Sequence, residues 1–106
     1  MGAGQLVEIN KRLEPDEATK VISDIVRHGG EIVLSRHCRN RMNERNLSMH
    51  DLLAVLLNGV VEGSSEYSKE HEQYRYKVTG QTIDSGKATA VTVILNHRSI
   101  LIVTVY

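Results

Sequence analysis

Hydrophobic side chains in the first half of the chain recur every three to four residues, the spacing of an amphipathic helix. The first such pattern begins at Pro15 and ends near His28. Its apolar positions are Ala18, Val21, Ile22, Ile25 and Val26. Proline and the two acids that follow it suit a first helical turn, and Gly29 and Gly30 suit a helix end. The pattern therefore predicts a helix that covers a sheet.

A second helical pattern follows Ser48. Ser48 with Asp51 three residues later resembles a capping box, although the acid is Asp and not the usual Glu or Gln. Apolar residues then recur with helical spacing at Met49, Leu52, Leu53, Leu56 and Leu57. Gly59 comes directly after Asn58, so we expect it to end the helix in the left-handed conformation.

Between these helices lies a short apolar run that leads into an arginine-rich segment. The run Glu31–Leu34 is predicted to be a strand, and Ser35 is a suitable N-cap for a helix from Arg36 to about Arg45. We call His37, Arg41 and Arg45 the arginine stripe, because positions i, i+4 and i+8 share one side of a helix. Cys38 and Met42 lie beside the stripe and form the apolar side.

From Val60 onward the hydrophobic period changes to two, which is typical of strands. The alternating segments are residues 60–67, 71–79, 88–96 and 99–106. They predict a four-stranded antiparallel meander, and the nearly continuous apolar runs at 91–95 and 100–103 predict central strands covered on both sides. The order of elements indicates an α+β fold, with a twisted antiparallel sheet of four to five strands and about three helices packed on one face.

Length and composition describe one ordinary globular domain. The 106 residues suffice for a single hydrophobic core, and 41% of them are hydrophobic and 25% charged. Residues 1–13 are weakly patterned and are interpreted as a loose leader, with a short strand over 6–9 as the alternative. Because no repeat or linker is present, we expect a single domain over residues 1–106.

Charge and cysteine content exclude several classes of protein. Thirteen basic residues balance thirteen acidic ones, which argues against a long nonspecific nucleic-acid footprint. The single cysteine cannot form an intrachain disulfide, and neither a signal peptide nor a run of about 20 apolar residues is found. We expect a soluble cytoplasmic protein with no membrane partner.

The predicted arginine helix has an excess of positive charge. It carries four arginines, and Glu44 is the only acid between Arg36 and Arg45. Like charges at i, i+4 cost an isolated helix a few tenths of a kcal/mol. A carboxylate elsewhere in the fold, an acidic partner protein or a phosphate backbone would compensate them.

Several short motifs resemble the domain-of-unknown-function family 4258. They are S-x-H, R-M-x-x-R-x-L-S, a leucine helix ending in Asn-Gly, Tyr-Arg-Tyr and a closing T-V-Y, and they span residues 32–106. In its plan of helices followed by a curved sheet, that family is similar to the RelE- and BrnT-like ribonuclease toxins of bacterial toxin–antitoxin pairs. The resemblance implies that the motif positions are held by His37, Arg41, Arg45, Tyr76, Thr104 and Tyr106. RelE-like toxins are usually basic, whereas this chain is neutral, which argues against tight ribosome binding.

The chemistry that the resemblance implies is RNA cleavage without a metal or cofactor. The reaction needs a base, an acid and cations on the phosphoryl oxygens. His37 can act as base or acid, and Arg41 and Arg45 can hold phosphate. Tyr76 or Tyr106 can stack a base or donate a proton, and Thr104 can orient either. Further RNA contacts are expected from Arg36, Arg39, Arg75 and Lys77.

Other interpretations of the same residues stay open. A non-catalytic module could bind a protein or nucleic acid with the arginine stripe, and an interaction protein could add a partner strand to an exposed sheet edge. Packing alone explains a tyrosine such as Tyr76 on a strand, and β propensity explains Thr104 and Tyr106. In the toxin interpretation the partners are free or ribosome-associated RNA and an antitoxin that covers the stripe, and the oligomeric state is open.

Overall fold

The computed structural model describes residues 11–106, which form three helices and a five-stranded sheet. The helices are α1 (Pro15–Arg27), α2 (Arg36–Glu44) and α3 (Met49–Asn58). The strands are β1 (Glu31–Leu34), β2 (Val60–Ser68), β3 (Gln73–Gln81), β4 (Lys87–Asn96) and β5 (Ser99–Val105). The strand considered at 6–9 and most of the proposed leader lie outside the described residues. None of the described helices is long and apolar enough to cross a membrane.

Local capping interactions explain where the helices begin. The Ser35 hydroxyl accepts a 2.9 Å hydrogen bond from the Cys38 amide, as expected for the N-cap of α2. Ser48 and Asp51 form the predicted capping box of α3, with the Asp51 amide donating to the Ser48 hydroxyl at 3.1 Å. Pro15 occupies the first turn of α1. The predicted positions of all three helices are therefore confirmed.

The sheet has the strand order β1-β5-β4-β3-β2 and is mixed. Strands β2 to β5 form the predicted antiparallel meander, and β4 and β5 lie in the interior of the five-stranded sheet. The expectation of a wholly antiparallel sheet is wrong, because β1 pairs parallel with β5, with Glu31 opposite Ser99 and Leu34 opposite Ile102. A period of two specifies which face a residue takes, but it does not specify the neighbouring strand or its direction.

The three helices pack on one face of the sheet, which we call the helix face. They contribute Ala18, Ile22, Ile25, Cys38, Met42, Leu52, Val55 and Leu56 to the core. The strands contribute Tyr76, Val78, Ala90, Ile94, Ile100, Ile102 and Val105. On the opposite face, the outer face, Val91 and Val93 are also buried.

A bulge in β5 decides which side chains reach each face. Thr92 pairs with Ile102, whereas its neighbour Val91 pairs with Thr104, so Val103 is an extra residue in the strand. As a result Val105, and not Thr104, joins Ile102 in the core. Thr104 shares the outer face with Val91.

The end of α3 differs from its sequence prediction. Gly59 has φ −82° and ψ −179°, an extended conformation, so the expected left-handed stop is wrong. A Cβ atom at this position would lie 2.6 Å from the Thr79 carbonyl oxygen and 2.5 Å from that of Val55. Glycine is therefore required by the close approach of α3 to β3 and not by a positive φ.

Candidate functional site

Helix α2 is held against β5 at the point where β1 ends. The Ser35 amide donates to the Ile102 carbonyl oxygen at 3.1 Å, and the Ser35 hydroxyl donates to the Val103 carbonyl oxygen at 2.7 Å. Cys38 and Met42 are buried below the helix, and burial raises the pKa of the Cys38 thiol. These contacts place the arginine stripe along the carboxyl-terminal end of β5.

Arg41 binds the backbone carbonyl group of Val105, two residues after Val103 in β5. Its Nε donates to the Val105 oxygen at 3.3 Å, and its Nη1 lies 3.3 Å from a carboxylate oxygen of Glu44. The Arg41 side chain is 38% exposed. Its Nη2 makes no hydrogen bond to any residue in 11–106, so one edge of the guanidinium can reach a ligand.

Arg45 extends the stripe to the neighbouring strand. The side chain is exposed, and its Nη2 donates to the carbonyl oxygen of Lys87, the first residue of β4, at 3.4 Å. The guanidiniums of Arg41, on α2, and of Arg45, its C-cap, thus lie beside the ends of two adjacent strands.

His37 lies one helical turn before Arg41 and is exposed. Its ring forms no hydrogen bond or ion pair within the described part of the chain. Its ring nitrogens are therefore open to a ligand. The stripe combines this imidazole with two guanidiniums that contact backbone oxygens.

The structure does not bring Tyr76 to the stripe. This side chain is 1% exposed on the helix face, and its hydroxyl accepts a 2.9 Å hydrogen bond from the Leu13 amide. Burial raises the pKa of the Tyr76 phenol, so it remains neutral. The position of this side chain is explained by core packing, and its enclosure sets it apart from the exposed residues of the stripe.

Thr104 and Tyr106 flank Val105, whose carbonyl group Arg41 binds. Tyr106 exchanges two backbone hydrogen bonds with Thr89 and is 47% exposed. Thr104 is partly buried on the outer face. Of the two tyrosines assigned to the site, only Tyr106 is accessible.

The four residues assigned to RNA binding fall into two groups. Arg36 and Arg39 are exposed on α2. Arg75 and Lys77 lie on the outer face of β3, where they pair across the strand with Glu66 and Glu62 of β2. Because each of these two cations is opposite a carboxylate, the outer face is not a region of concentrated positive charge.

Two other histidines, His71 and His97, do not join His37. His71 lies in the β2–β3 turn, where its Nδ1 is 3.0 Å from the Ser68 hydroxyl, and His97 lies in the β4–β5 turn. Both turns are at the opposite end of the sheet from Lys87 and Val105. Within residues 11–106 no three His, Cys, Asp or Glu side chains form a group that could hold a metal ion.

Sequence reasoning missed one contact that shapes this end of the molecule. An Asp51 carboxylate oxygen accepts a 3.0 Å hydrogen bond from the amide of Ile83, in the loop between β3 and β4. The capping box reveals that Asp51 contacts Ser48, but no local signal indicates a bond across 32 residues. Asp51 thus holds this loop against the start of α3, and Arg45 contacts the first residue of β4 that follows the loop.

Comparison with known proteins finds one family. The family described as Domain of unknown function (DUF4258) matches residues 34–106. No curated protein and no solved structure matches the chain.

Proposed function

The chain belongs to the DUF4258 family, and from this premise we propose that it is a metal-independent endoribonuclease similar to the RelE- and BrnT-like toxins. One observation carries the proposal. An exposed imidazole with no protein partner, His37, lies one turn from the guanidinium of Arg41, which backbone contacts hold at the end of β5. This pairing of a free acid–base group with a fixed cation is what phosphodiester cleavage requires.

In the proposed reaction the 2′-hydroxyl oxygen of a ribose forms a bond to the adjacent phosphorus. The bond from phosphorus to the 5′-oxygen of the next nucleotide breaks at the same centre. His37 takes the proton of the 2′-hydroxyl, and the leaving oxygen receives a proton from water, because pairing with Thr89 directs the Tyr106 side chain to the outer face. The products carry a 2′,3′-cyclic phosphate and a 5′-hydroxyl.

The two arginines stabilise the charge that develops on the phosphoryl oxygens. Arg41 contributes its free Nη2, and Arg45 is exposed beside the first residue of β4. Their contacts with backbone oxygens orient both side chains before the substrate arrives, which lowers the reorganisation needed in the transition state. Arg36 and Arg39 extend the positive surface along α2 toward neighbouring phosphates.

The proposal includes a biological setting. A bacterial cytoplasmic toxin of this type would be held inactive by an antitoxin, and its expression alone would arrest growth. Because the chain has no net charge, its contact with RNA would be confined to the region of α2.

The test is cleavage of a mixed-sequence RNA by the purified protein in the presence of a chelator. We expect His37→Ala and Arg41→Ala each to lower the rate about 100-fold or more, with cyclic phosphate ends on the products of the parent protein. His97→Ala and Arg27→Ala are matched controls, since both residues are exposed and lie away from the stripe. Circular dichroism verifies that each variant is folded.

Failure of the parent protein to cleave, with free RNA and with added ribosomes, would exclude the ribonuclease. The alternative is then a non-catalytic binding module. One observation favours it, because Nε and Nη1 of Arg41 are already engaged by Val105 and Glu44. RNA binding lost in Arg41→Ala, without cleavage by the parent, would identify that module.

A further inference from the structure

The two edge strands of the sheet, β1 and β2, differ in how well they are protected against pairing with another chain. At the β2 edge, the amide of Val61 donates a 2.8 Å hydrogen bond to the Thr19 hydroxyl of α1. Farther along β2, pairing with β3 is interrupted between Glu62 and Glu66, and Gly63 has φ +72°. A side-chain cap and a bulge are two of the means by which proteins prevent an edge strand from pairing with another chain.

In residues 11–106 neither kind of protection is found at the β1 edge. The amides of Glu31 and Ser35 donate to Arg98 and Ile102, on the β5 side. Since alternate residues of a strand point to opposite sides, the backbone groups of Ile32 and Leu34 point away from β5. Within residues 11–106 no hydrogen bond partner is found for them on that side.

An open groove lies beside this edge. It has a volume of about 450 Å³ and is lined in part by Leu34, Met42, Leu47 and Met49, with Arg39 among its polar groups. Met49 is 42% exposed, so the groove presents apolar surface to solvent. The groove can therefore take an apolar side chain from a segment that runs along β1.

Charge restricts what that segment can be. Arg39 is exposed and makes no ion pair within the described residues, and Glu44, the only acid of α2, is 3.3 Å from Arg41. A second copy of the chain paired through β1 would bring the arginines of two α2 helices together, and repulsion between these like charges is unfavourable. A segment with carboxylates would neutralise them.

We propose that the β1 edge binds an extended acidic segment of a partner protein, which adds a sixth strand to the sheet. The backbone of the segment pairs with Ile32 and Leu34, an apolar side chain enters the groove, and its carboxylates meet Arg39. The proposal holds whether or not the arginine stripe is catalytic, and Arg39 is the one residue that it shares with the proposed RNA surface.

Amide hydrogen exchange tests the free edge first. In the protein alone we expect the amides of Ile32 and Leu34 to exchange at least about 100-fold faster than those of Val33 and Val61, whose protons are covered by β5 and Thr19. Equal protection of all four amides would overturn the proposal. Protection of Ile32 and Leu34 that grows with protein concentration would assign the edge to a second copy, and would equally overturn it.

A synthetic peptide tests the partner. The probe is a blocked seven-residue peptide, Thr-Glu-Thr-Leu-Thr-Glu-Thr, which places two acids and one leucine on the same side of a strand. We expect a Kd of about 100 μM, with slowed exchange at Ile32 and Leu34. The same peptide with lysines in place of both glutamates should bind at least about tenfold more weakly.

Two further controls separate strand pairing from simple charge attraction. N-methylation at alternate residues removes the N–H donors from one edge of the peptide strand. Of two peptides methylated at opposite sets of residues, the one that loses the donors facing β1 should no longer bind, and the other should bind as before. Arg39→Glu should weaken the acidic peptide at least about tenfold, while Arg27→Glu, on α1, should not. No binding at about 1 mM, or binding without protection of Ile32 and Leu34, would contradict the proposal.

Discussion

The carboxyl-terminal end of β5 and the edge of β2 each lack a neighbouring strand on one side, and helices complete their hydrogen bonds there with different chemistry. At β5, carbonyl oxygens of Val103 and Val105 accept from the Ser35 hydroxyl and the Arg41 guanidinium. At β2, the amide of Val61 donates to the Thr19 hydroxyl. The β2 contact only closes an edge. The β5 contact also places a charged group at the surface, so structure and ligand binding depend on the same side chain.

This difference explains why the candidate site is at β5. A guanidinium has five N–H donors. The Nε of Arg41 donates to Val105 and its Nη1 to Glu44, and its Nη2 has no partner within residues 11–106. A hydroxyl such as that of Thr19 has a single proton, which it donates to the Pro15 carbonyl oxygen at 2.8 Å. Only the arginine can support a strand and bind an anion at the same time.

The largest stability effect in this comparison is expected from Ser35→Ala. The hydroxyl both caps α2, by accepting from Cys38, and donates to Val103 of β5. Losing a cap and a partly buried hydrogen bond together should lower the free energy of unfolding by about 2 kcal/mol. Urea denaturation with circular dichroism measures the loss.

Ser48→Ala is the matched control for Ser35. Ser48 caps α3 through the Asp51 amide, but its hydroxyl contacts no strand. We expect a loss of about 1 kcal/mol, the typical value for a cap. Equal losses in the two variants would show that the bond from Ser35 to Val103 adds nothing to the β5 end.

Thr19→Val should have the next largest effect, at the β2 edge. The substitution keeps the shape of the side chain but leaves the Val61 amide without its acceptor, which should lower the free energy of unfolding by about 1 kcal/mol. Amide exchange at Val61 should accelerate together with the loss. Thr19→Ser retains the hydroxyl and should keep Val61 protected; fast exchange in that variant would argue against the cap.

Local sequence signals predicted the elements of this fold well. Pro15, Ser35 and Ser48 each act through atoms within three or four residues, so capping rules suffice to locate the helices. The errors concern contacts between distant residues. Gly59 is extended because Thr79 approaches it, and β1 is parallel to β5 because the chain passes through two helices and three strands before it returns.

The candidate site was predictable only in part, for the same reason. The spacing of His37, Arg41 and Arg45 follows from helical geometry, and the structure places the first two on α2 and Arg45 at its C-cap. The family resemblance groups Tyr76 with them. Its burial depends on Leu13, which is 63 residues away in sequence, and the position of Thr104 depends on a bulge that strict alternation does not reveal.

Arg41→Lys should have a smaller effect on stability, because the contact is partly exposed. Lysine keeps the charge but lacks the Nε that reaches Val105, so we expect the free energy of unfolding to fall by about 0.5 kcal/mol. The ion pair with Glu44 should contribute little, since both side chains are accessible to water. Arg27→Lys in α1 is the control and should leave urea denaturation unchanged. An equal loss of stability in that variant would show that the hydrogen bond from Arg41 to Val105 does not account for the effect.

The smallest effect should come from Asp51, and it depends on pH, unlike the contacts made by Ser35 and Thr19. Hydrogen bonds from the backbone amides of Ser48 and Ile83 lower the pKa of the Asp51 carboxyl below its ordinary value of 3.8. Because the folded protein favours the charged form, this contribution is fully present above pH 3.8 and is lost as the pH falls through the folded pKa. The stability difference between the parent protein and Asp51→Asn should therefore shrink in acid.

An NMR titration of the Asp51 carboxyl, together with urea denaturation at several pH values, measures both parts of this prediction. Ser48→Ala removes the hydroxyl donor at 3.1 Å but keeps both backbone donors, so it should move the Asp51 pKa only part of the way back toward 3.8. A stability difference between the parent and Asp51→Asn that stays constant down to strongly acidic pH would mean that an amide replaces the carboxylate equally well. The attachment of the β3–β4 loop to α3 would then depend on shape and hydrogen bonding alone, as the Thr19 contact at the β2 edge does.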